Sequence, residues 1–228
     1  MIMRAITIFP MSDAPAVLFA ARELEKQGVA IADFLSPAVT HVLLSVPTKE
    51  TVLPQGVTVI GGNLEDGYPK IDLLRDERYL AENAAITADC ALRLLADRLP
   101  VTFCGCPILV IGWGRIGKCL ASMLKALGAE VTVAARKPAD LGMLTALGYK
   151  TAEIGNLDPA PYRAIVNTAP APVLSAGGSA IKIDLASSLG MAGEDVIWAR
   201  GLPGKMLPEA SGALIARCVL HYLREGTV

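Results

Sequence analysis

The fold follows from one segment of the chain, Pro107-Ile-Leu-Val-Ile-Gly-Trp-Gly-Arg-Ile-Gly-Lys118. Ile108 to Ile111 is a β-branched and leucine run that is long enough for one buried strand. Gly112, Gly114 and Gly117 follow in G-x-G-x-x-G spacing. The first glycine allows a tight turn, the second lets a pyrophosphate approach the backbone, and the third lets helix and strand pack closely.

The residues after these glycines predict a helix and a second strand. One face of the helix is apolar, with Ile116, Leu120, Met123, Leu124 and Leu127 at helical spacing. Gly128 is the expected stop, and Val131 to Ala134 form the next strand. The free N–H groups and the positive dipole end of the helix would lie at the phosphate site. Strand, glycines, helix and strand in this order predict a dinucleotide site rather than a glycine turn that only connects two elements.

The end of the second strand distinguishes NADP from NAD. An NAD enzyme usually has an acidic residue there, which binds the ribose 2′-hydroxyl. This chain has Ala135, Arg136 and Lys137, and no carboxylate until Asp140. Two cations suit the dianionic 2′-phosphate of NADP. The alternative is that both are solvated loop charges; we expect NADP.

Composition excludes several classes of function. The net charge is −1 and the basic residues are not clustered, so neither nucleic acid nor an anionic membrane is an expected partner. No segment approaches the length of a membrane span, and the first residues predict a strand rather than a signal peptide. The hydrophobic content of 53% is ample for a core of buried parallel strands.

The cysteines indicate a reducing, cytoplasmic location. They are odd in number and lack the spacing of a disulfide framework: Cys90, Cys104, Cys106, Cys119 and Cys218. Cys104 and Cys106 form a C-x-C pair with no histidine or third cysteine nearby. We therefore expect ordinary thiols and no metal, with a metal or redox pair as the alternative.

Residues 1–82 predict a small α/β lobe of flavodoxin- or Rossmann-like type. Apolar runs and helical spacing predict strands at Arg4–Phe9, Val29–Phe34, His41–Val46 and Val57–Ile60, with a helix over Ala14–Gln27. The first turn lacks the glycine pattern, so we do not expect this lobe to bind the nucleotide. A helix over Thr87–Leu99 would link it to the next domain, with Asn83, Thr87 and Asp89 either capping that helix or binding a ligand.

After the glycine segment the alternation continues over residues 83–207. A helix is predicted over Ala139–Leu147, and strands at Tyr149–Ala152, Tyr162–Asn167, Ile181–Leu185 and Val196–Ala199. Six strands after residue 106 are the number of a complete doubly wound parallel sheet. Ligands bind beyond the carboxyl ends of such strands, so the loops Asn167–Pro170, Asp184–Ser188 and Gly201–Lys205 are expected near the nicotinamide. Residues 208–228 predict a closing helix that packs back on the first lobe.

Several sequence blocks resemble the dipicolinate synthase A family, a group of sporulation oxidoreductases. The most specific blocks are Ile183-Asp-Leu-Ala-Ser187 and Gly201-Leu-Pro-Gly-Lys205. The glycine segment itself, Asn83-Ala-Ala-Ile-Thr87, Leu124-Lys-Ala-Leu-Gly-Ala129, Val133-Ala-Ala-Arg-Lys137 and Asn167-Thr-Ala-Pro170 complete the resemblance over about the last 150 residues. The first domain of the family is normally longer, and Ser45-Val-Pro-Thr48 fits its substrate loop only loosely.

The resemblance implies an NADP-dependent oxidation of a dihydrodipicolinate-type product of the lysine pathway to dipicolinate. It also implies a flavoprotein partner similar to dipicolinate synthase B, a small dicarboxylate substrate, and the mother-cell cytoplasm of a spore-forming bacterium. A homo-oligomer stays open. The candidate cofactor-binding residues are Gly112, Trp113, Gly114, Arg115, Ile116, Gly117, Ala135, Arg136, Lys137, Thr168, Ala169, Pro170, Leu185 and Gly201. The candidate substrate-binding residues are Ser45, Thr48, Asn83, Thr87, Gly204 and Lys205.

No catalytic base stands out. Lys205 and Asp89 are the candidates for proton transfer, while His41 and His221, the two histidines, are expected to be structural. Two alternatives remain at this stage. One is an NAD(P)-binding regulatory or scaffolding protein that does not catalyse. The other is a different NAD(P)-dependent dehydrogenase of a small carboxylate; a 2-hydroxy acid enzyme would use a histidine with an acidic partner, and no histidine stands in a suitable loop.

Overall fold

The computed structural model describes residues 6–49, 51–174 and 178–225. The chain divides into two compact units. We call Met1–Ile86 together with Pro203–Val228 the N-terminal unit, and Thr87–Leu202 the central unit. Each unit is built on one parallel sheet, so the predicted α/β class with a doubly wound Rossmann sheet and a smaller α/β lobe is confirmed.

The N-terminal unit contains a five-stranded parallel sheet with the order β2-β1-β3-β4-β5, which is the flavodoxin-like order. The strands are β1 (Thr7–Pro10), β2 (Ala30–Ile31), β3 (His41–Leu43), β4 (Thr58–Gly61) and β5 (Lys70–Asp72). The predicted first strand began at Arg4, which lies outside the described residues. β2 is much shorter than predicted, and β5 was not predicted because it carries one buried apolar side chain, that of Ile71.

Two long helices pack together in the N-terminal unit. They are α1 (Pro15–Lys26) and α6 (Pro208–Glu225). Apolar side chains of both helices share one core with the buried face of the sheet, including those of Ile8, Val17, Leu24, Leu214 and Val219. The helices approach closely because Gly212 lies against α1: a Cβ on this glycine would lie 2.6 Å from Phe19 Cβ and 2.7 Å from the Ala16 carbonyl oxygen.

The helix predicted to begin near Thr87 begins ten residues earlier. α2 spans Glu77–Arg98, and the division between the units falls inside it. The Asp76 carboxylate accepts hydrogen bonds from the backbone N–H groups of Arg78 and Tyr79, at 2.8 and 3.2 Å, and so caps the first turn. The prediction that Asn83, Thr87 and Asp89 cap a helix was therefore wrong, because all three lie within α2.

The central unit contains a six-stranded parallel sheet with the order β11-β10-β9-β6-β7-β8. The strands are β6 (Pro107–Ile111), β7 (Glu130–Ala135), β8 (Lys150–Glu153), β9 (Ala164–Asn167), β10 (Ile181–Asp184) and β11 (Val196–Trp198). Counted within the unit this is the order 3-2-1-4-5-6 of a dinucleotide-binding sheet, with the reversal beside β6. The six predicted strands are all present.

Helices α3 (Arg115–Ala126) and α4 (Pro138–Ala146) connect the first three strands of this sheet. Gly128 and Gly148 follow them with positive φ angles of 80° and 70°, as expected for glycines that end helices. β6 is buried along most of its length, and Ile108, Leu109, Val110 and Ile111 are fully enclosed. The segment predicted as the loop Gly201–Lys205 is largely a short helix, α5 (Leu202–Met206).

Candidate dinucleotide-binding site

The glycine turn after β6 has the geometry that the sequence predicted for it. Gly112 has a φ of +103°, which side chains rarely allow. A Cβ on Gly117 would overlap the Gly112 carbonyl oxygen, so only glycine lets α3 pass this close to the strand end. A Cβ on Gly114 would meet nothing within 4 Å. The three glycines thus provide a turn, an open approach and a tight contact, in this order along the chain.

The first turn of α3 has no side-chain cap. Its N-cap residue is the exposed Gly114, which has no side chain to accept a hydrogen bond from the helix N–H groups. An α-helix leaves its first N–H groups without partners inside the helix, and its dipole places partial positive charge there. The open space at Gly114 and the uncapped turn together fit the pyrophosphate of a dinucleotide.

Thr168 joins the loop after β9 to the glycine turn. Its hydroxyl donates to the Ile111 carbonyl oxygen at 2.9 Å, and its backbone N–H bonds the same oxygen at 2.8 Å. A Cβ on Gly112 would lie 2.6 Å from Thr168 Oγ1. Thr168 therefore lies at the reversal point of the sheet, beside the turn, and its hydroxyl proton is used to hold the two strand ends together.

The two predicted cations follow β7 directly. Ala135 is buried at the end of the strand, whereas Arg136 and Lys137 are exposed. Lys137 is also the N-cap residue of α4, and no side chain caps that helix. The carboxyl end of β7, the strand next to β6, is the position at which a dinucleotide-binding sheet contacts the adenosine ribose. Both cations are thus at the predicted place and open to solvent.

The other candidate cofactor-binding residues fall into exposed and enclosed groups. Trp113 contacts Tyr149 edge to face, with ring centroids 5.7 Å apart, and Lys118 Nζ lies 5.8 Å from its ring centre. Leu185 is buried. The remaining residues are exposed or half-buried around the carboxyl ends of the strands: Arg115, Ile116, Ala169, Pro170 and Gly201.

A buried polar pair beneath this edge was not identified from the sequence. Asn167 ends β9 and Asp184 ends β10, and the parallel register places them side by side. Both side chains are fully enclosed. Asn167 Nδ2 lies 3.1 Å from each carboxylate oxygen of Asp184 and 3.0 Å from the Ala169 carbonyl oxygen. The available signal was that both polar residues terminate apolar strands that were predicted to be neighbours.

The predicted substrate loop of the N-terminal unit forms a compact turn. Ser45 Oγ donates to the Pro47 carbonyl oxygen at 2.9 Å, and Thr48 Oγ1 donates to the Ser45 carbonyl oxygen at 3.0 Å. Thr48 Oγ1 also accepts from the Gly62 N–H at 3.1 Å. The Val46–Pro47 peptide bond is cis. Thr48 is therefore used to attach this loop to the end of β4.

The remaining substrate and proton-transfer candidates lie on helices. Asn83 and Thr87 are on α2, and Gly204 and Lys205 are on α5, with Lys205 exposed. Asp89, one of the two proton-transfer candidates, pairs with Arg93 one turn later at 3.2 Å. All cofactor candidates belong to the central unit, whereas Ser45, Thr48, Asn83, Gly204 and Lys205 belong to the N-terminal unit.

The cysteines are free thiols, and Cys106 is buried while Cys104 is exposed. Burial raises the pKa of the Cys106 thiol, and burial raises the pKa of Cys90 and of Cys218 to about 11. A raised pKa keeps a thiol protonated and unreactive. Within residues 6–49, 51–174 and 178–225, no group of three or more histidine, cysteine, aspartate or glutamate side chains is arranged to hold a metal ion.

Comparison with known proteins finds a relative by sequence. The A component of dipicolinate synthase from Bacillus subtilis (strain 168) is 28% identical over 159 residues, which are 63% of this chain and 54% of that protein. The match thus spans about half of the relative's length. No protein-family model matches the chain. No helix in the described part of the chain is long and apolar enough to cross a membrane.

Solved structures share the fold over nearly the whole chain. The crystal structure of dipicolinate synthase A from Bacillus subtilis has a TM-score of 0.78 at 21% identity, covering 97% of this chain and 96% of its own. Dipicolinate synthase A from Bacillus halodurans has a TM-score of 0.76 at 20% identity, over 96% and 97%. A transhydrogenase from Sinorhizobium meliloti has a TM-score of 0.67 at 15% identity, over 95% and 93%. The predicted resemblance is confirmed: this chain is similar to dipicolinate synthase A in sequence and in fold.

Proposed function

We propose that this protein is an NADP-dependent oxidoreductase that acts on a dihydrodipicolinate-type substrate. The observation that carries the proposal is the turn at Gly112, with its uncapped helix α3 and the exposed Arg136 and Lys137 after the next strand. A glycine turn alone would suit many nucleotides. The cations at the ribose position favour a cofactor with a 2′-phosphate.

In the proposed binding mode each part of the cofactor has its own group of residues. Backbone N–H groups of Arg115, Ile116 and Gly117 bind the pyrophosphate at the start of α3. The Arg136 guanidinium and the Lys137 ammonium bind the 2′-phosphate. The loops after β9 and β10 lie under the nicotinamide, because they follow the strands on the other side of the sheet reversal.

Positioning is the main contribution of the protein to such a reaction. The bound cofactor supplies an acceptor for one hydride from the substrate ring, and water takes the proton that the ring loses on becoming aromatic. Asp89 pairs with Arg93, so it is already neutralised in part by a neighbouring charge. We propose Lys205, Gly204 and the residues Ser45, Thr48, Asn83 and Thr87 for the two substrate carboxylates. A cation such as Lys205 suits a dicarboxylate.

The substrate and the partner follow from the similarity to dipicolinate synthase A. We infer that the protein functions with a second, flavoprotein-like component in the cytoplasm of a spore-forming mother cell. The similarity in sequence covers about half of the relative, so turnover has to be measured with and without that component.

Titration of the two cofactors tests the carrying observation. Wild-type protein should bind NADP at least about tenfold more tightly than NAD, and Arg136→Ala should remove most of this preference. Arg163→Ala is the matched control, because the exposed Arg163 precedes β9 at the opposite end of the sheet. Equal affinity of the wild-type protein for both cofactors would contradict the assignment of NADP.

Turnover distinguishes the remaining alternatives. Oxidation of dihydrodipicolinate, followed through NADPH absorbance, should occur with the wild-type chain and increase when a flavoprotein of the dipicolinate synthase B type is added. Tight NADP binding without turnover in either condition would support a regulatory or scaffolding role. Turnover of another small carboxylate in its place would indicate a different dehydrogenase.

A further inference from the structure

The buried pair Asn167 and Asp184 joins two loops that lie beyond the ends of their strands. Asp184 Oδ1 accepts from the Ala186 N–H at 2.9 Å, and Oδ2 accepts from the N–H groups of Gly190 and Met191 at 2.8 and 3.0 Å. Asn167 Oδ1 accepts from the Ala169 N–H at 2.9 Å. One enclosed carboxylate and one enclosed amide therefore fix the loop after β9 and the loop after β10.

The two loops are also attached to each other. The Val173 N–H donates to the Gly190 carbonyl oxygen at 2.8 Å, and the Ala192 N–H donates to the Leu174 carbonyl oxygen at 3.1 Å. Gly190 fits this junction only as glycine: a Cβ there would lie 2.5 Å from Asn167 Nδ2 and would overlap the Ala171 carbonyl oxygen. The loops thus form one surface above the pair.

A tryptophan fixes the same surface from its outer side. Trp198, at the end of β11, is half exposed, and its Nε1–H donates to the Ala186 carbonyl oxygen at 3.2 Å. Ala186 is consequently held at its N–H by Asp184 and at its carbonyl oxygen by Trp198. Ser187 and Ser188, which follow it, are exposed.

Asp184 is unsuited to accept a proton from a substrate. It is fully enclosed, and both of its oxygens already accept hydrogen bonds from N–H donors, which supply the compensation that a buried carboxylate needs. A charge surrounded by donors stabilises one arrangement of the groups that donate to it. Its effect is therefore on the geometry of the loops.

We propose that Asn167 and Asp184 are positioning residues for the nicotinamide half of the cofactor. This inference rests on the proposed function. The loops that the pair fixes follow β9 and β10, on the side of the sheet reversal opposite β7 and Arg136. The pair therefore orders the surface under the nicotinamide, while the glycine turn and Arg136 bind the pyrophosphate and the 2′-phosphate independently of it.

Two probes separate the halves of the cofactor. 2′-Phospho-ADP-ribose carries the adenine, the pyrophosphate and the 2′-phosphate without nicotinamide, whereas NADPH adds a ring whose fluorescence increases when a protein surface immobilises it. We expect Asp184→Asn to bind 2′-phospho-ADP-ribose within about twofold of wild type. We expect the same variant to lose most of the increase in NADPH emission, because an amide cannot accept all the hydrogen bonds of the carboxylate.

Two further variants keep the test decisive. Trp198→Phe removes only the bond to Ala186 from a half-exposed position, so it should fold even if Asp184→Asn does not, and it should reduce the NADPH emission increase without weakening the fragment. Asp158→Asn is the control, because the exposed Asp158 accepts one backbone hydrogen bond, from Ala160, in another loop of the central unit. It should leave both readings unchanged.

The possible failures are distinguishable. If wild-type protein binds neither probe, the proposed function fails and the positioning role fails with it. If wild-type protein binds both probes but the Asp184 and Trp198 variants keep the full emission increase, only the positioning role is overturned. Loss of fragment binding in a folded Asp184→Asn protein would also overturn it, since the pair would then support the whole unit.

Discussion

The β1–α1 and β6–α3 connections both carry a parallel strand into the helix that covers it, but they use different residues. After β6, Gly112 turns the chain and Gly117 lets α3 touch the strand end. After β1 there is no glycine between Pro10 and Pro15; Ser12 Oγ accepts from the Ala14 N–H at 3.2 Å, and Pro15 begins the helix.

The N-terminal unit places its close glycine contact elsewhere. Gly212 brings α6 against α1, where the missing side chain lets two helices approach. One unit therefore uses glycine to pack helix on helix, and the other uses it to pack helix on strand with backbone N–H groups left open. A shared parallel α/β topology does not by itself make a phosphate site; the residues of the first turn do.

The largest expected effect is on the glycine that seats α3. Gly117→Ala should weaken NADP binding by about 100-fold or more, because the new Cβ overlaps the Gly112 carbonyl oxygen and displaces the start of the helix. Gly142→Ala is the matched control: Gly142 lies in α4, and a Cβ there meets nothing within 4 Å. It should leave binding unchanged and stabilise the unit by up to ~1 kcal/mol.

Isothermal titration of both variants, with the wild-type protein alongside, checks this expectation. Normal NADP affinity in Gly117→Ala would mean that the turn tolerates a wider separation of strand and helix. The contrast between the two connections would then lose its main support.

The next effect tests the glycine of the N-terminal unit. Gly212→Val should destabilise α1 and α6 by about 2–3 kcal/mol, because the side chain meets Phe19 and the backbone of α1. Amide hydrogen exchange should increase in these helices, while NADP affinity in the central unit stays within about twofold. Gly142→Val provides the control for the introduction of a β-branched residue into a helix. Slow exchange in α1 of the Gly212 variant would show that the helix contact is not tight.

The sequence predicted the central unit more fully than the N-terminal unit, and the reason is physical. The strands of the central sheet are runs of buried β-branched residues, as in β6 and β9, and glycines end its helices. β5 contains Lys70 and Asp72 on either side of Ile71, so its strand character comes from pairing with β4 rather than from its own composition. The start of α2 was missed because Asp76, not Thr87, caps it.

Side chains that act through distant partners were the hardest to predict. Lys182 is enclosed in β10 and bonds Asp195 at 2.5 Å, an interaction that depends on the position of β11. The pairing of Asn167 with Asp184 likewise requires the register of β9 and β10. The glycine turn was predictable because all its constraints lie within one short stretch of chain, whereas these pairs require the assembled sheet.

The smallest effect concerns pH and again separates the two units. His41 begins β3 and is largely buried, with its Nδ1 2.8 Å from Thr40 Oγ1. Burial lowers the pKa of His41 below its usual value of 6.5. The unfolded chain therefore takes up a proton that the folded unit resists, so this contribution to stability is complete above pH 6.5 and is lost as the pH falls below it.

This loss should be confined to the N-terminal unit, because the second histidine, His221, lies there too and Thr87–Leu202 contains none. Lysine contacts lower the carboxyl pKa values of Glu130 and Asp195 in the central unit below the usual 4.5 and 3.8, so their contributions are lost only at more acidic pH. Between about pH 7.5 and about pH 5.5, free energies of opening from hydrogen exchange should fall for β1 and β3 but not for β6 and β9. His41→Gln should remove most of this dependence in β1 and β3. An equal loss in both units, or an unchanged slope in that variant, would assign the acid sensitivity to groups other than the buried imidazole.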